Sequence, residues 1–276
     1  MLSAALGDSW AGSDYTVCMI LGWRSSCNFL RPKGSKQAVV PVSSRGDDLE
    51  IVMFTLFSRL SGLFVTVLFA GVVACSAGDR AVAIPTASLD APLATAKGEQ
   101  TAVVSGGCFW GVQAVFQHVK GVISATSGYS GGSAKNAEYE VVSTGTTGHA
   151  ESVKIVYDPS KITYGQILRI FFSVAHDPTQ LNRQGPDEGT QYRSSIFYSS
   201  DEQKRIAQAY IAQLEQEKVF PRPIVTQVVP LQAFYPAEAY HQDYATRHPD
   251  SMYIVYNDAP KVAHLREQFP GMYTGK

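Results

Sequence analysis

The amino-acid sequence predicts an α/β (α+β) fold, a single domain in which helices pack on a mixed sheet as a two-layer sandwich. Apolar residues make up 45% of the 276 residues and charged residues 17%, which is ample for a packed core and excludes a disordered chain. Strand-like and helix-like segments alternate from about residue 100 to about residue 269, and no internal repeat is visible.

Hydrophobic periodicity and the residues that start and stop each segment locate the elements. Short apolar or alternating runs predict strands at 101–104, 122–126, 150–157, 194–198 and 224–229. Apolar residues at helical spacing predict helices at 108–120, 163–174 and 201–218, the second capped by Thr163 and the third by Ser200. The glycines of 128–132 predict a turn, and the polar loop 176–192 is too long for a simple connection, which makes it a candidate site.

Charge and cysteine content exclude several classes of function. The net charge of −1 provides no positive electrostatic potential to attract nucleic acid, so we expect no nucleic-acid partner. The four cysteines, at positions 18, 27, 75 and 108, are too few for a disulfide scaffold in a chain of this length. No CxxC, HxH or HExxH pattern occurs, so we expect no metal site.

The N-terminal third divides by composition. Residues 1–52 lack a sustained period and are predicted to be poorly structured, or to be an artefact of the gene start with Met53 as the true first residue. In 53–75, Arg59 precedes an uncharged apolar run that ends in small residues and Cys75. This pattern is typical of a secretory signal peptide, and its end resembles the lipobox of bacterial lipoproteins.

Three interpretations of the apolar run follow from this pattern. Cys75 is the lipid attachment site of a cleaved lipoprotein, or the run is an uncleaved anchor, or it is a buried core helix. The first two place the domain outside the cytoplasm, membrane-anchored on the periplasmic side of a bacterial envelope. The Ala-, Pro-, Ser- and Thr-rich residues 76–99 then predict a flexible tether to a folded domain at 100–276.

Cys108 is the residue at which chemistry is expected. It follows Gly106 and Gly107 and lies at the first turn of a predicted helix, where free backbone N–H groups and the helix dipole favour a thiolate. The alternative is an ordinary small core residue, since free cysteines are usually buried and inert.

Six strings in order give the chain a family resemblance. They are Gly106-Gly-Cys-Phe-Trp-Gly111, the glycine string 128–132, the Tyr and Glu segments 139–142 and 148–151, the loop 176–194, and Pro236-Ala-Glu-Ala-Tyr-His-Gln-Asp-Tyr244. Together they resemble the peptide methionine sulfoxide reductases of type A, over about residues 101–245. The resemblance implies a fold with a ferredoxin-like core and reduction of the S epimer of methionine sulfoxide, free or in oxidised proteins.

The resemblance also implies roles for individual residues. Cys108 attacks the sulfoxide sulfur and becomes a sulfenic acid, and Glu151 protonates the oxygen. Tyr139 and Tyr192 resemble the tyrosines that hydrogen-bond this oxygen, and Asp187 resembles the carboxylate that organises polar contacts near it. The resemblance finally implies an apolar wall for the substrate's S-methyl group, formed by Phe109 and Trp110.

The tail departs from the family pattern, because 244–276 contains no resolving cysteine. Cys18 and Cys27 precede the predicted signal, and Cys75 would carry lipid, so we expect an external thiol to reduce the sulfenic acid. This external thiol reductant is a thioredoxin-like protein, a glutaredoxin-like protein or a small thiol, and no bound cofactor is expected. The alternative is an uncleaved N-terminus that leaves Cys75 free on the tether. Two rival functions stay open. One is a non-enzymatic envelope lipoprotein with a structural Cys108, and the other is a Cys–Glu hydrolase or acyltransferase, for which no string supplies a dedicated base.

Overall fold

The structure is a computed structural model that describes residues 81–275. In this part of the chain one sheet of six strands has the order β7-β6-β1-β3-β2-β8. Its strands are β1 (Gln100–Ser105), β2 (Val122–Ser130), β3 (Ala150–Tyr157), β6 (Ser195–Tyr198), β7 (Gln227–Pro230) and β8 (Phe234–Pro236). A separate two-stranded hairpin joins β4 (Arg183–Gln184) to β5 (Asp187–Glu188).

Helices cover the sheet and form the C-terminal tail. They are α1 (Phe109–Gln117), α2 (Tyr139–Val142), α3 (Tyr164–Ile170), α4 (Asp201–Gln216), α5 (Tyr244–Arg247) and α6 (Ala259–Gln268). Single π turns occupy Phe171–Ala175 and Ile254–Asp258, and short 3₁₀ turns occupy Ala134–Asn136, Thr190–Tyr192 and Ala239–His241.

The central strands confirm the predicted fold class. Strand β1 pairs antiparallel with both β3 and β6, and β3 pairs antiparallel with β2. The central order β6-β1-β3-β2, with α1 after β1 and α3 after β3, is the ferredoxin-like arrangement. Strand β7 pairs parallel with β6 at one edge, which makes the sheet mixed.

The predicted helical face after Cys108 is confirmed. Phe109, Val112, Phe116 and Val119 are all buried in the hydrophobic core. Complete burial of such side chains stabilises a fold by about 1.5–3 kcal/mol each. This packing fixes the helix that begins at the candidate nucleophile.

Both predicted helix caps are present. The hydroxyl of Thr163 accepts a hydrogen bond from the Gln166 N–H at 3.2 Å, and the Gln166 side chain accepts one from the Thr163 N–H at 3.0 Å. The hydroxyl of Ser200 accepts from the Gln203 N–H at 3.2 Å. These bonds satisfy backbone donors that the first turn of a helix leaves unpaired.

The turn predicted from the glycines of 128–132 is wrong in its first half. Strand β2 continues to Ser130, and Gly128 pairs with Ser152 on one side and Pro236 on the other. A Cβ atom on Gly128 would lie 2.9 Å from the Phe234 Cε1, so the glycine serves close strand packing there. The chain turns after the strand, where Gly131 has a φ of +99°.

Residues 81–99 differ from the flexible tether that their composition predicts. Val82 N–H donates to the Ser173 carbonyl at 3.1 Å, and the Tyr210 hydroxyl donates to the Pro85 carbonyl at 2.6 Å. The Ile84 side chain is only 4% exposed and lies in the core. Backbone hydrogen bonds and apolar side chains therefore hold this segment against the domain.

The other predictions for the N-terminal third, 1–52, 53–75 and Cys75, lie outside the described residues. The domain boundaries stay a prediction. Within 81–275, no helix combines the length and the apolar character needed to cross a membrane.

Candidate active site

Cys108 lies between the end of β1 and the start of α1. It is the N-cap residue of the helix and is 7% exposed. Gly107, with a φ of +86°, makes the turn, and a Cβ atom there would lie 2.5 Å from the Gln184 Cβ. Glycine is therefore required beside the cysteine by backbone conformation and by close packing.

The environment of Cys108 favours the thiol, contrary to the thiolate predicted from the helix terminus. Burial raises the pKa of Cys108 well above its usual range, and the charges of Glu151 and Asp258 raise it further. The Trp110 backbone N–H and the Lys261 ammonium lower the pKa but do not outweigh these effects. Loss of hydration disfavours an anion more than one helix terminus stabilises it.

Glu151 lies on β3 directly beside the start of α1. Its Oε2 accepts a hydrogen bond from the Phe109 N–H at 3.0 Å, and the residue is 3% exposed. Burial raises the pKa of Glu151 to about 8; the Phe109 N–H opposes the shift, and Asp187 and Asp258 add to it. A carboxyl group with this pKa is protonated at neutral pH, as the predicted proton donor must be.

Tyr139 and Tyr192 belong to the same electrostatic cluster. Burial, followed by the charge of Glu151, raises the pKa of both phenols, and Cys108 also raises each. Both hydroxyls therefore stay protonated and can donate hydrogen bonds. The structure brings both predicted tyrosines into the environment of Cys108 and Glu151.

Asp187 is joined to the site through a tyrosine that the sequence analysis missed. The Tyr253 hydroxyl donates a hydrogen bond to Asp187 Oδ2, and the Tyr253 ring meets the Trp110 ring edge-on at 5.8 Å. Burial raises the pKa of Asp187, while Tyr253 and Lys261 lower it. Tyr253 lies in none of the six strings and is one of 14 tyrosines, so no local signal marked it.

Phe109 and Trp110 play different structural parts. Phe109 is fully buried, with its ring 5.9 Å from that of Tyr129. Trp110 is only partly buried and stacks on Tyr244, with ring centroids 3.8 Å apart and planes inclined by 10°. Trp110 therefore offers the more accessible aromatic surface, and Phe109 supports it from the core.

His241 holds the aromatic wall in place. Trp110 Nε1–H donates to His241 Nδ1 at 3.2 Å, and the His241 and Tyr139 rings lie 4.3 Å apart. Burial lowers the pKa of His241, so the ring is neutral. Glu238 accepts hydrogen bonds from the Tyr139 N–H at 2.9 Å and from the Tyr129 hydroxyl at 2.8 Å.

A buried ion pair under helix α1 was not predicted. Lys261 Nζ lies 3.3 Å from Asp258 Oδ1, and both residues are buried. A Cβ atom on Gly111 would lie 2.8 Å from Asp258 Cγ and 3.0 Å from Lys261 Nζ. Gly111 therefore lets the pair approach the first turn of helix α1.

Among residues 81–275, no group of three or more His, Cys, Asp or Glu side chains is arranged to hold a metal ion. In the same part of the chain the sequence has one cysteine, Cys108, and its thiol is free. The lipid attachment predicted at Cys75 lies outside this part.

Comparison with known proteins identifies the family. A family model for peptide methionine sulfoxide reductase matches residues 100–272. A peptide methionine sulfoxide reductase MsrA 2 of Mesorhizobium japonicum is 63% identical over 181 residues, which are 66% of this chain and 93% of the relative. A peptide methionine sulfoxide reductase MsrA of Thermus thermophilus is 47% identical over 174 residues, 63% of this chain and 97% of the relative.

One solved structure agrees with these sequence matches. The crystal structure of reduced Mxr1 from Saccharomyces cerevisiae is 30% identical, with a TM-score of 0.50 over 59% of this chain and 92% of that one. These matches do not support a non-enzymatic lipoprotein with a structural Cys108. The chain belongs to the peptide methionine sulfoxide reductase family and is a thiol-dependent peptide-methionine (S)-S-oxide reductase.

Proposed function

We propose that Cys108 is the nucleophile of this reductase and that Glu151 moves the proton. The observation that carries the proposal is the hydrogen bond of 3.0 Å from the Phe109 N–H to Glu151. It joins a buried carboxyl group, whose pKa is about 8, to the residue next to Cys108. Nucleophile and acid are thereby held at one helix terminus.

The first step balances without an outside proton. Glu151 donates its proton to the sulfoxide oxygen as Cys108 Sγ attacks sulfur, and the thiol proton replaces the one that Glu151 gave. The attack forms a bond between Sγ and the substrate sulfur, which then carries the protonated oxygen. The hydroxyl group passes to Sγ as the substrate's sulfur–oxygen bond and the new sulfur–sulfur bond break, and the electron pair returns to the substrate sulfur, so Cys108 becomes a sulfenic acid. The products are methionine and the oxidised cysteine, so two electrons pass from Cys108 to the substrate.

The remaining predicted residues orient the sulfoxide. Tyr139 and Tyr192 donate hydrogen bonds to its oxygen, where negative charge develops before the proton arrives. Asp187, with its Tyr253 partner, orders the polar side of the pocket. Phe109 and Trp110 form the apolar wall for the S-methyl group, with Trp110 as the accessible face and Phe109 behind it; an aromatic face is favourable for a methyl on polarised sulfur.

An external thiol closes the cycle. Two thiols reduce the sulfenic acid to the Cys108 thiol, and they leave as a disulfide and one water. The tail 244–276 contains no cysteine, which favours an outside reductant over an internal disulfide. A thioredoxin-like protein, a glutaredoxin-like protein or a small thiol meets this need, and no bound cofactor is required.

We further propose that the domain is anchored on the periplasmic side of a bacterial membrane. Support comes from the sequence of 53–75, with Arg59, the apolar run and Cys75 in the order of a lipoprotein signal. In cells fed a labelled fatty acid, label should enter the unaltered chain and not Cys75→Ser. Equal labelling of both would reject lipid at Cys75.

The catalytic proposal is tested with the full chain, dithiothreitol, and the two sulfur epimers of N-blocked methionine sulfoxide. The unaltered protein should reduce the S epimer, and Cys108→Ser should reduce neither. Cys75→Ser is the matched control, because it removes a cysteine outside the catalytic domain, and it should retain full activity. Turnover by Cys108→Ser would refute the assigned nucleophile.

A further inference from the structure

A groove of about 860 Å³ adjoins the candidate active site. The loop 179–187 forms one wall, and the chain from Tyr253 to His264 contributes the other. Asp187 and Tyr253, which hydrogen-bond each other in the site, both line this groove. The groove therefore continues from the place where the sulfoxide is expected to bind.

The inner end of the groove lies close to the nucleophile. Gln184 lines the groove, and its side chain packs so closely on Gly107 that a Cβ atom there would lie 2.5 Å away. Gly107 is the residue before Cys108. A polypeptide bound in the groove would thus contact Gln184, and Gln184 packs on the residue that precedes Cys108.

Each wall carries a large exposed apolar side chain. Leu181 is 65% exposed on the loop wall, and Tyr256 is 70% exposed on the opposite wall. Pro186 and Pro260 also line the groove. Large exposed apolar side chains gathered in one groove are typical of a binding surface.

The two arginines that line the groove are paired within the chain. Arg183 lies 3.1 Å from Glu188, and Arg222 lies 3.4 Å from Asp177. Both guanidinium groups therefore already have a carboxylate partner within the chain. Leu181 and Tyr256 provide the exposed apolar surface that a ligand in the groove can contact.

The loop wall is held in shape before any ligand arrives. Asp177 accepts hydrogen bonds from the Thr179 N–H at 2.9 Å and the Thr179 hydroxyl at 2.7 Å. Gln180 Oε1 accepts from the Gly185 N–H at 2.9 Å. A preformed wall lowers the entropy lost on binding an extended chain.

We propose that this groove binds the polypeptide that flanks the methionine sulfoxide, and that Leu181 and Tyr256 favour flanking residues with apolar side chains. The inference rests on the proposed function, because it extends the same site. The volume is comparable with that of sites for whole drug-sized ligands, about 300–1,000 Å³, and exceeds what one sulfoxide side chain needs. Unfolded, oxidised proteins expose such apolar flanks.

The test compares three substrates on the full chain, all with the S-sulfoxide. They are N-blocked methionine sulfoxide, a seven-residue peptide with Leu and Val flanks, and the same peptide with Gly and Ser flanks. The variants are Leu181→Ser, Tyr256→Ser and the double variant. Leu93→Ser is the matched control, since Leu93 is 50% exposed and does not line the groove.

The unaltered chain should have a kcat/KM for the Leu/Val peptide about tenfold above that for the Gly/Ser peptide. The double variant should lose this preference and keep its kcat/KM for the blocked amino acid within twofold. Leu93→Ser should behave as the unaltered chain. An unchanged peptide preference in the double variant, or an equal loss on all three substrates, would overturn the groove assignment. Failure of the unaltered chain on the blocked amino acid would instead overturn the proposed function, and the groove with it.

Discussion

At the scale of single residues, the site depends on one carboxyl group that stays protonated at neutral pH. Glu151 is buried, and only the Phe109 N–H lowers its pKa against the effect of burial. The same burial keeps Cys108 a thiol. The substrate-free pocket therefore avoids two buried anions, and in the proposed mechanism charge separates only when the sulfoxide accepts the proton.

Glu151→Gln should slow the first chemical step. General acid catalysis typically contributes about 10²–10⁴-fold, so a loss of that size is expected in the single-turnover rate of methionine formation. The unaltered rate should fall as the pH rises through about 8, where Glu151 loses its proton. Glu140→Gln changes an exposed glutamate nearby and should retain both rate and pH profile. A pH profile that is unchanged in Glu151→Gln would contradict the assigned acid.

The same substitution should stabilise the fold. The pKa of Glu151 rises from about 4.5 in the unfolded chain to about 8, so the folded state binds the proton more tightly. Burying an ionisable Glu151 therefore lowers the free energy of unfolding. This loss is absent below pH 4.5 and grows as the pH rises toward 8. In urea unfolding at pH 7, Glu151→Gln should gain on the order of 3 kcal/mol, and the gain should vanish near pH 4.5. A gain that does not depend on pH would argue against the raised pKa.

At the scale of elements, helix α1 packs against α6 and against the π turn Ile254–Asp258 that precedes α6. The Asp258–Lys261 pair approaches the first turn of α1 at Gly111. Gly111→Ala should therefore destabilise the protein by about 1–3 kcal/mol, the usual cost of overpacking a tight site. Urea unfolding measures this.

Gly271→Ala is the matched control for Gly111→Ala. No atom lies within 4 Å of a Cβ placed on Gly271, so that variant should have the same urea midpoint of unfolding as the unaltered protein. Equal stability of the two variants would show that the pair can move away from the helix at no cost.

Local patterns predicted the central elements but not the tail. The strands, the face of α1 and the caps at Thr163 and Ser200 follow from residues a few positions apart. Gly128 was misread because a turn and a close strand contact both favour glycine, and only the position of β8 separates them. Tyr253, Asp258 and Lys261 act on Cys108 across more than a hundred residues of sequence, which no local period reveals.

At the scale of the whole molecule, the fold begins before the family match. The matched region starts at residue 100, yet residues 81–94 already pack on the domain. Asp90 accepts hydrogen bonds from the Thr163 hydroxyl and from the Gly165 N–H, so it caps α3 from outside the matched region. Composition predicted a tether because it cannot report these distant partners.

Ile84→Ala tests this extension of the domain. Removing a buried isoleucine side chain typically costs about 2–5 kcal/mol, and urea unfolding should show a loss in that range. Leu93→Ala, in the same segment but 50% exposed, should change stability by less than about 0.5 kcal/mol. If Ile84→Ala leaves the free energy of unfolding unchanged, residues 81–94 do not stabilise the domain and the predicted tether would stand.

The central claim is that Cys108 itself takes the oxygen from the sulfoxide. The direct measurement mixes the full chain with the S epimer of N-blocked methionine sulfoxide in the absence of any reductant. We predict one methionine per protein and one sulfenic acid on Cys108, trapped by dimedone and located by mass spectrometry, with the R epimer giving neither. Methionine formed without an adduct on Cys108, or in Cys108→Ser, would contradict the account.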